Sequence, residues 1–179
     1  MARGLLPLLL AAATAALVLF GVVLVGRATR AGERPRAVSA FAAIDCDPPP
    51  GLDRREFLDE VQYLGGFPDE LHLLDAGLAE RLAEGFARHP WVEKVERVEV
   101  QLSRGVHVRL AHRTPVLAIS HGGRLRAVDA NGVLLPARAS TQGLPRFQGT
   151  ARPPSGPAGT RWGDAAVEEA AARAGAGAP

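Results

Sequence analysis

An uncharged apolar run near the N-terminus constrains the fold of this chain more than any other feature. Residues 5–25 read LLPLLLAAATAALVLFGVVLV. At a rise of about 1.5 Å per residue, a helix of this length matches a hydrocarbon core of about 30 Å. Pro7 falls in the first turns, where its missing N–H is tolerated. The run therefore predicts a transmembrane signal anchor over residues 1–30.

A cleaved signal peptide is the alternative interpretation of this run. The apolar region of a signal peptide spans only about 7–15 residues, although Thr29-Arg30-Ala31 loosely resembles a cleavage site. Arg3 precedes the run and four arginines follow it between residues 27 and 36. The positive-inside rule alone would then place the C-terminal part in the cytoplasm, but a three-residue stub has no room for more charge. Charge therefore leaves the orientation open.

The remainder of the chain suffices for one modest core. Of 179 residues, 47% are hydrophobic, and the net charge is only +2. The basic residues are spread along the chain, so no nucleic-acid partner is expected. Cys46 is the only cysteine, which excludes an internal disulfide and a thiolate metal cluster. Asp45 and Asp47 would raise the pKa of its thiol, so we expect a buried, unreactive side chain.

Turn residues and apolar periodicity predict the first elements after the anchor. Residues 31–39 are polar and predict a linker, and residues 41–45 predict a strand that ends before three prolines. Asp53 and Glu56 form a capping-box pattern for a helix that Gly65-Gly66 would end. Asp75 is the predicted N-cap of a second helix, which would end before Pro90.

Beyond Pro90 the apolar period changes from four to two. Val98, Val100 and Leu102 alternate with polar residues, and the pattern resumes after residues 103–105, which predicts a β-hairpin with one buried face. Its second strand is predicted to reach residue 119, with Pro115 at a bulge or an edge. Residues 121–123 predict a further turn, and Asn131-Gly132 predicts a type I′ turn.

The order strand, helix, helix, strand, strand resembles the POTRA domain, and four motifs resemble those of the FtsQ/DivIB family of bacterial cell division proteins. The motifs are Pro90-Trp91-Val92, His112-Arg113-Thr114-Pro115-Val116, the AVDANGV segment at residues 127–133, and Leu144-Pro145. The resemblance covers about residues 40–150. The positions that match the family motifs, as structural or partner-contact residues, are Pro90, Trp91, Val92, Arg113, Pro115, Asp129 and Gly132.

The resemblance implies an α+β fold. A transmembrane helix would precede a POTRA-like β-α-α-β-β domain at residues 40–120 and a partial C-terminal β-hairpin region at residues 121–150. Residues 151–179 would be a Pro-rich linker, a short helix capped by Asp164 and a disordered tail. Two departures are His112 in place of glutamate and Ser103-Arg104-Gly105 in place of an aromatic-Pro-Asn turn. The chain would stop partway through the second domain of the family, as a minimal variant or a truncated reading frame.

No catalytic motif is visible in the sequence. HExxH, GxSxG, P-loop and GxGxxG patterns are absent, so we expect no catalytic residue, metal, cofactor or small-molecule substrate. The resemblance implies a single-pass scaffold of the cell inner membrane with an extracytoplasmic, periplasmic domain. It would recruit other bitopic division proteins for septal peptidoglycan synthesis, with β-strand addition as one mode of contact. The alternatives are a POTRA-like module in outer-membrane protein assembly or secretion, a periplasmic hydrolase with an unrecognised site, and a truncated protein without function.

Overall fold

Short strands and helices alternate along residues 37–177, the part of the chain that the computed structural model describes. This part is a small mixed α+β domain whose strands pair as three two-stranded antiparallel sheets, β1–β2, β3–β4 and β5–β6. The elements are β1 Val38–Ala40, α1 Arg54–Gly65, β2 Glu70–His72, α2 Leu78–Ala87, β3 Val92–Gln101, β4 Gly105–His112, β5 Leu117–His121, β6 Arg124–Val128 and α3 Ala165–Ala176.

The predicted signal anchor lies outside the described residues, as does most of the predicted linker. Within residues 37–177, no helix combines the length and the apolar character that crossing a bilayer requires. β1 begins at Val38, inside the segment assigned to the linker. Strand pairing therefore starts two residues before the predicted domain.

Helix α1 begins and ends where the sequence predicts. Asp53 Oδ1 accepts a hydrogen bond from Glu56 N at 2.8 Å, and the helix ends at Gly66, whose φ of +66° is left-handed. The carboxylate of Glu56 bonds to Arg138 at 2.7 Å, on a segment far along the chain. The N-cap and the glycine stop are thus confirmed.

Helix α2 ends before Pro90 as predicted, but the prediction that Asp75 caps it was wrong. The helix follows Gly77, which has a φ of +83° and no side-chain cap. Leu78 N donates to the backbone carbonyl of Asp75 at 3.2 Å, and the Asp75 carboxylate pairs with Arg81. Asp75 lies two residues before the cap position, which Gly77 occupies, so its side chain does not serve as the cap.

The predicted first strand, residues 41–45, is a 3₁₀ turn at Phe41–Ala43 followed by a single parallel bridge at Asp45. Asp45 N donates to Val106 O at 2.9 Å, and Asp45 O accepts from Val108 N at 2.8 Å. The strand that precedes the turn, β1, pairs with β2 instead. The expected three-stranded sheet is therefore a two-stranded ladder with one additional bridge.

The β3–β4 hairpin is confirmed, and β3 is longer than predicted. Its pairing with β4 shifts register between Val92 and Lys94 and again between Val95 and Arg97. Each shift adds one residue to β3, so Val92, Val95 and Val98 lie on one face although they are three residues apart. Because of these bulges, the apolar residues in the first half of β3 do not alternate with period two, so the sequence pattern predicted only the second half.

The prediction that β4 continues through Pro115 was wrong. β4 ends at His112, and the next backbone donor, Arg113 N, bonds to Trp91 O at 2.8 Å. Val116 N then bonds to Val128 O at 2.9 Å, so the chain has left β3 and joined β6. Pro115 lies within this crossover, where its missing N–H removes no ladder bond. The predicted turn before β6 is confirmed at Gly122-Gly123, with φ of +57° and +72°.

Two hydrophobic cores lie in the described part of the chain. The first core packs α1 and α2 against the β3–β4 hairpin. The Phe67 ring lies between the two helices, so close to them that a Cβ added at Gly65 or Gly85 would come within 2.2 or 2.3 Å of it. The second core contains Leu117, Ile119, Val128, Leu134, Trp162, Val167 and Ala171.

The segment predicted as linker and tail takes part in the second core. Trp162 is fully buried, and Asp164 caps α3 through a 3.0 Å bond from Ala166 N, as predicted. The helix extends to Ala176, so the prediction of a disordered tail was wrong for residues 175–176. Residues 178–179 lie outside the described part.

Candidate interaction site

The motif positions meet where the two cores join. Trp91, 3% exposed, lies in the first core, and its backbone carbonyl accepts the bond from Arg113 N. Val92 is buried beside it and is paired with His112 across the hairpin. The segments that contain Trp91 and Arg113 are therefore held side by side by the end of the β3–β4 ladder.

Arg113 and Asp129 form a largely buried ion pair. Arg113 Nη1 lies 2.7 Å from Asp129 Oδ2, and the two side chains are 16% and 4% exposed. Arg113 follows β4 and Asp129 follows β6, so the pair connects the first core to the second. The buried carboxylate is tolerated here because it accepts hydrogen bonds from Arg113 and from two backbone N–H groups.

The second oxygen of Asp129 shapes the turn that follows. Oδ1 accepts bonds from Asn131 N at 2.9 Å and Val133 N at 2.8 Å, and Gly132 N donates to Asp129 O at 3.0 Å. Of the two residues Asn131 and Gly132, only Gly132 has a positive φ, +71°, whereas a type I′ turn needs a positive φ at both central residues, so the predicted type I′ turn was wrong. The Asp129 side chain binds the backbone N–H groups of the turn, and Asn131 keeps a negative φ. This is the arrangement of a type I turn followed by a left-handed glycine.

Gly132 extends the network to the C-terminal segment. Its carbonyl accepts from Trp162 N at 2.8 Å, and a Cβ at this position would lie 2.7 Å from Glu168 Cγ on α3. Trp162 in turn donates through Nε1 to Arg152 O at 2.8 Å. A continuous series of contacts thus runs from Trp91 through Arg113, Asp129 and Gly132 to α3.

The two motif prolines have different positions. Pro90 packs beside the C-terminal segment, since a Cβ on Gly159 would lie 3.2 Å from Pro90 Cα. Pro115 is half-buried in the crossover and has no part in the hydrogen-bond network. Six of the seven motif positions are therefore adjacent. Pro115 lies outside this group, in the crossover that connects Arg113 to β5.

A buried histidine lies beside this network and was missed at the sequence level. His89 Nδ1 accepts from Trp91 N at 3.3 Å, so Nε2 carries the proton and lies 2.9 Å from Glu60 Oε2. Glu60 also pairs with Arg138. These groups are 29 and 78 residues from Glu60 along the chain, and no local pattern signals such contacts.

Burial controls the protonation of this cluster. Burial lowers the pKa of His89 despite the opposing bond to Glu60, and burial likewise lowers the pKa of His112, whose ring lies edge-on to Phe57. Burial alone would raise the pKa of Glu60, but the bonds from His89 and Arg138 outweigh it and lower the pKa. The folded protein therefore holds a neutral imidazole against an ionised carboxylate.

Cys46 is buried, 5% exposed, and burial raises the pKa of its thiol to about 11. The nearby carboxylates that the sequence pointed to raise the pKa too, but by less than burial does, and Arg54 opposes them. Across residues 37–177, no group of three or more His, Cys, Asp or Glu side chains is placed to hold a metal ion.

The outer edge of β3 is open for backbone contact. Within residues 37–177 its backbone groups bond to β4, and beyond Val92 the one bond to another segment runs from Arg104 N in the hairpin turn to Gln101 O. The bulges and the exposed charges Glu93, Lys94, Glu96 and Arg97 distort and screen the first half of this edge. Residues 97–101 pair with β4 in unbroken register, so they form the regular part of the open edge.

Comparison of the chain with protein-family models, with curated proteins and with solved structures gives no match.

Proposed function

We propose that this chain is a non-enzymatic, single-pass membrane scaffold of the bacterial cell division machinery, related to the FtsQ/DivIB family. It recruits other bitopic division proteins and septal peptidoglycan synthesis proteins. The observation that carries this proposal is the Arg113–Asp129 ion pair. It brings together two segments that resemble family motifs but lie apart in the sequence.

Residues 40–120 are, in this proposal, a POTRA-like β-α-α-β-β domain. The order of α1, α2, β3 and β4 supports it, and so does the parallel bridge from Asp45 to β4, which occupies the place of the first strand. The β1–β2 pair is an addition to that order. Residues 121–150 then correspond to the start of the family's β-domain, and α3 and Trp162 pack against it.

In this proposal the apolar run at residues 5–25 anchors the chain in the inner membrane, and the resemblance to the family places the described domain in the periplasm. Confinement to a plane raises the effective concentration of partners that share the membrane. Contacts that are weak in solution can then hold an assembly together.

Partner binding by strand addition fits the open edge of β3. A partner strand would bond to the backbone along residues 97–101, and the side chains of Arg97 and Glu99 would select the partner by charge. A charge change at the edge should therefore weaken recruitment without unfolding the sheet.

The proposal is tested by imaging a fluorescent fusion of the full chain in dividing cells of the bacterium that encodes it. We expect accumulation at the constriction site. Arg97→Glu should reduce that accumulation, whereas Arg109→Glu, which alters the cross-strand neighbour on β4, should not. Uniform membrane fluorescence of the unaltered fusion would contradict the division role and favour another POTRA-like role.

A further inference from the structure

The open edge of β3 presents the backbone groups of two valines. Asp45 N donates to Val106 O and Val108 N donates to Asp45 O, so these groups of β4 point away from β3. The residues opposite Val106 and Val108 on β3 are Val100 and Val98. In an antiparallel ladder, two residues that face each other point their N–H and C=O groups either toward each other or both outward. Val98 and Val100 therefore point theirs out of the open edge.

The side chains of this segment are arranged symmetrically about Glu99. Residues 97–101 read RVEVQ, so a valine and then a polar residue follow Glu99 in either direction. Val98 and Val100 are half-buried on the face that packs against the first core. On the other face, Glu99 bonds to Arg97 at 2.8 Å and to Gln101 at 3.1 Å. The polarity of the edge is thus the same in both directions, as antiparallel pairing with an identical strand requires.

A second copy of β3 fits this edge in one register better than in its neighbours. With a twofold axis at Glu99, each Val98 faces Val100 of the second copy, and the two pairs exchange four backbone hydrogen bonds. An axis at Val98 would leave only one such pair, because Val100 would face Glu96, the residue without a partner at the bulge. An axis at Val100 would require bonds from Leu102, which lies in the hairpin turn.

The same register suits the side chains on both faces. The half-buried valines would cover one another across the axis and extend the apolar face of the sheet. On the outer face Arg97 lies opposite Gln101 of the second copy, and the two Glu99 carboxylates meet at the axis. Like charges directly opposite weaken pairing, but each carboxylate keeps its own Arg97, so two cations balance the two acids. Five paired residues bury little surface, so the contact should be weak and reversible.

We propose that this chain forms a twofold homodimer through residues 97–101 of β3, paired antiparallel with Glu99 at the axis. The dimer joins two β3–β4 hairpins into one four-stranded sheet and protects an edge that would otherwise invite unspecific pairing. Any other strand that uses this edge must first displace the second copy. The dimer depends only on the open edge and not on the division role.

Disulfide cross-linking of the purified full chain in detergent tests the register. Glu99→Cys places two thiols at the axis, where Cα atoms about 4.5 Å apart allow a disulfide. Arg97→Cys and Gln101→Cys face each other only between copies, so a mixture of the two variants should cross-link although neither does so alone. The unaltered chain is the control, because its Cys46 thiol is buried and has a pKa raised to about 11.

We expect a disulfide-linked dimer from Glu99→Cys and from the mixture, and none from Lys94→Cys in the bulged half of the strand. Equal cross-linking by every variant would indicate random collision and overturn the dimer. The absence of cross-linking from Glu99→Cys and from the mixture would also overturn it and leave the edge to a strand of another protein. The imaging test of the division role is independent of either result.

Sedimentation equilibrium of the same detergent-solubilised chain measures the strength of the contact. Glu99→Gln removes the opposed charges and should raise the dimer association constant about 2- to 5-fold. Val100→Pro removes an outward N–H that the dimer needs but no ladder bond to β4, so it should abolish the dimer. Circular dichroism checks that this variant keeps its fold. A weaker dimer with Glu99→Gln, or an unchanged one with a folded Val100→Pro, would contradict an axis at Glu99.

Discussion

Arg113 Nη1 and Asp129 Oδ2 are 2.7 Å apart in an ion pair that is almost entirely withdrawn from solvent. Each residue directly follows a strand, Arg113 after β4 and Asp129 after β6. The pair therefore ties the end of one sheet to the end of the other, and the turn shaped by Asp129 carries that connection to Trp162.

Removing one partner of this pair should destabilise the domain strongly. Arg113→Ala removes the cationic partner of a buried carboxylate and leaves it only the two backbone N–H groups of its turn, so we expect a loss of about 3 kcal/mol in the free energy of unfolding. Denaturant unfolding of the full chain in detergent, followed by the fluorescence of the two buried tryptophans, measures it. The control is Arg173→Ala, which breaks an exposed pair with Glu169 and should cost less than about 0.5 kcal/mol. Equal losses would mean that Arg113 is solvated.

Gly132 should resist substitution for two separable reasons. Gly132→Ala forces a residue with a Cβ into left-handed backbone and also places that Cβ 2.7 Å from Glu168 Cγ. We expect a cost of about 2 kcal/mol, against about 1 kcal/mol for Gly143→Ala, which has a φ of +76° but open space around it. Adding Glu168→Ala to Gly132→Ala should recover part of the difference between the two. The same unfolding measurement on Glu168→Ala alone supplies the reference, because that change also removes the bonds of Glu168 to Arg161 and Gly163 N. No recovery relative to that reference would contradict a steric contribution from Glu168 Cγ.

Stability should fall as the pH drops below about 6.5. The unfolded chain takes up a proton at His89 near its ordinary pKa of 6.5, whereas burial lowers the pKa of the folded imidazole. Below that pH the unfolded state binds more protons, so the free energy of unfolding decreases with falling pH. We expect a lower denaturation midpoint at about pH 5.5 than at about pH 7.5.

The His89→Gln variant should show a smaller change between these two pH values. His112 has a lowered pKa as well, so the double variant with His112→Gln should show a smaller change still. The lowered pKa of Glu60 acts in a separate window below about 4.5, where stability is lost as the carboxylate is protonated. An unchanged slope in the double variant would contradict this account.

The two tryptophans should respond differently to replacement by phenylalanine. Trp162 Nε1 donates to Arg152 O, whereas the buried Nε1 of Trp91 has no hydrogen-bond partner within residues 37–177. Trp162→Phe removes a hydrogen bond and Trp91→Phe removes an unpaired donor, so the first should cost about 1 kcal/mol more. Unfolding of each single variant, read by the fluorescence of the remaining tryptophan, gives the comparison. A larger cost for Trp91→Phe would show that its N–H is paired.

Local signals predicted the elements that local contacts determine. α1 follows from the Asp53 cap and the glycine at position 66, and the β3–β4 hairpin follows from alternating valines in its second half. β1 and β2 have three residues each, too short for a periodic pattern, and their pairing is decided by packing around Phe41 and Leu71.

The candidate site was predictable as a set of positions but not as a network. Family-like motifs pointed to Arg113 and Asp129 separately, and their pairing depends on the crossover at residues 113–116. The crossover was hidden because Val116 and Leu117 continue the apolar character of β4. His89 and Glu60 meet only when α1 packs on the end of α2, a contact without any local signature.

The aromatic ring held between α1 and α2 restricts how this sequence can drift over evolution. Alanine at Gly65 or Gly85 would bring a Cβ to 2.2 or 2.3 Å from the Phe67 ring, so the ring would have to move before either position could gain a side chain. A ring displaced in this way would lose its present stacking with Phe41 at 5.3 Å, so each glycine is linked to an aromatic contact that it does not itself make.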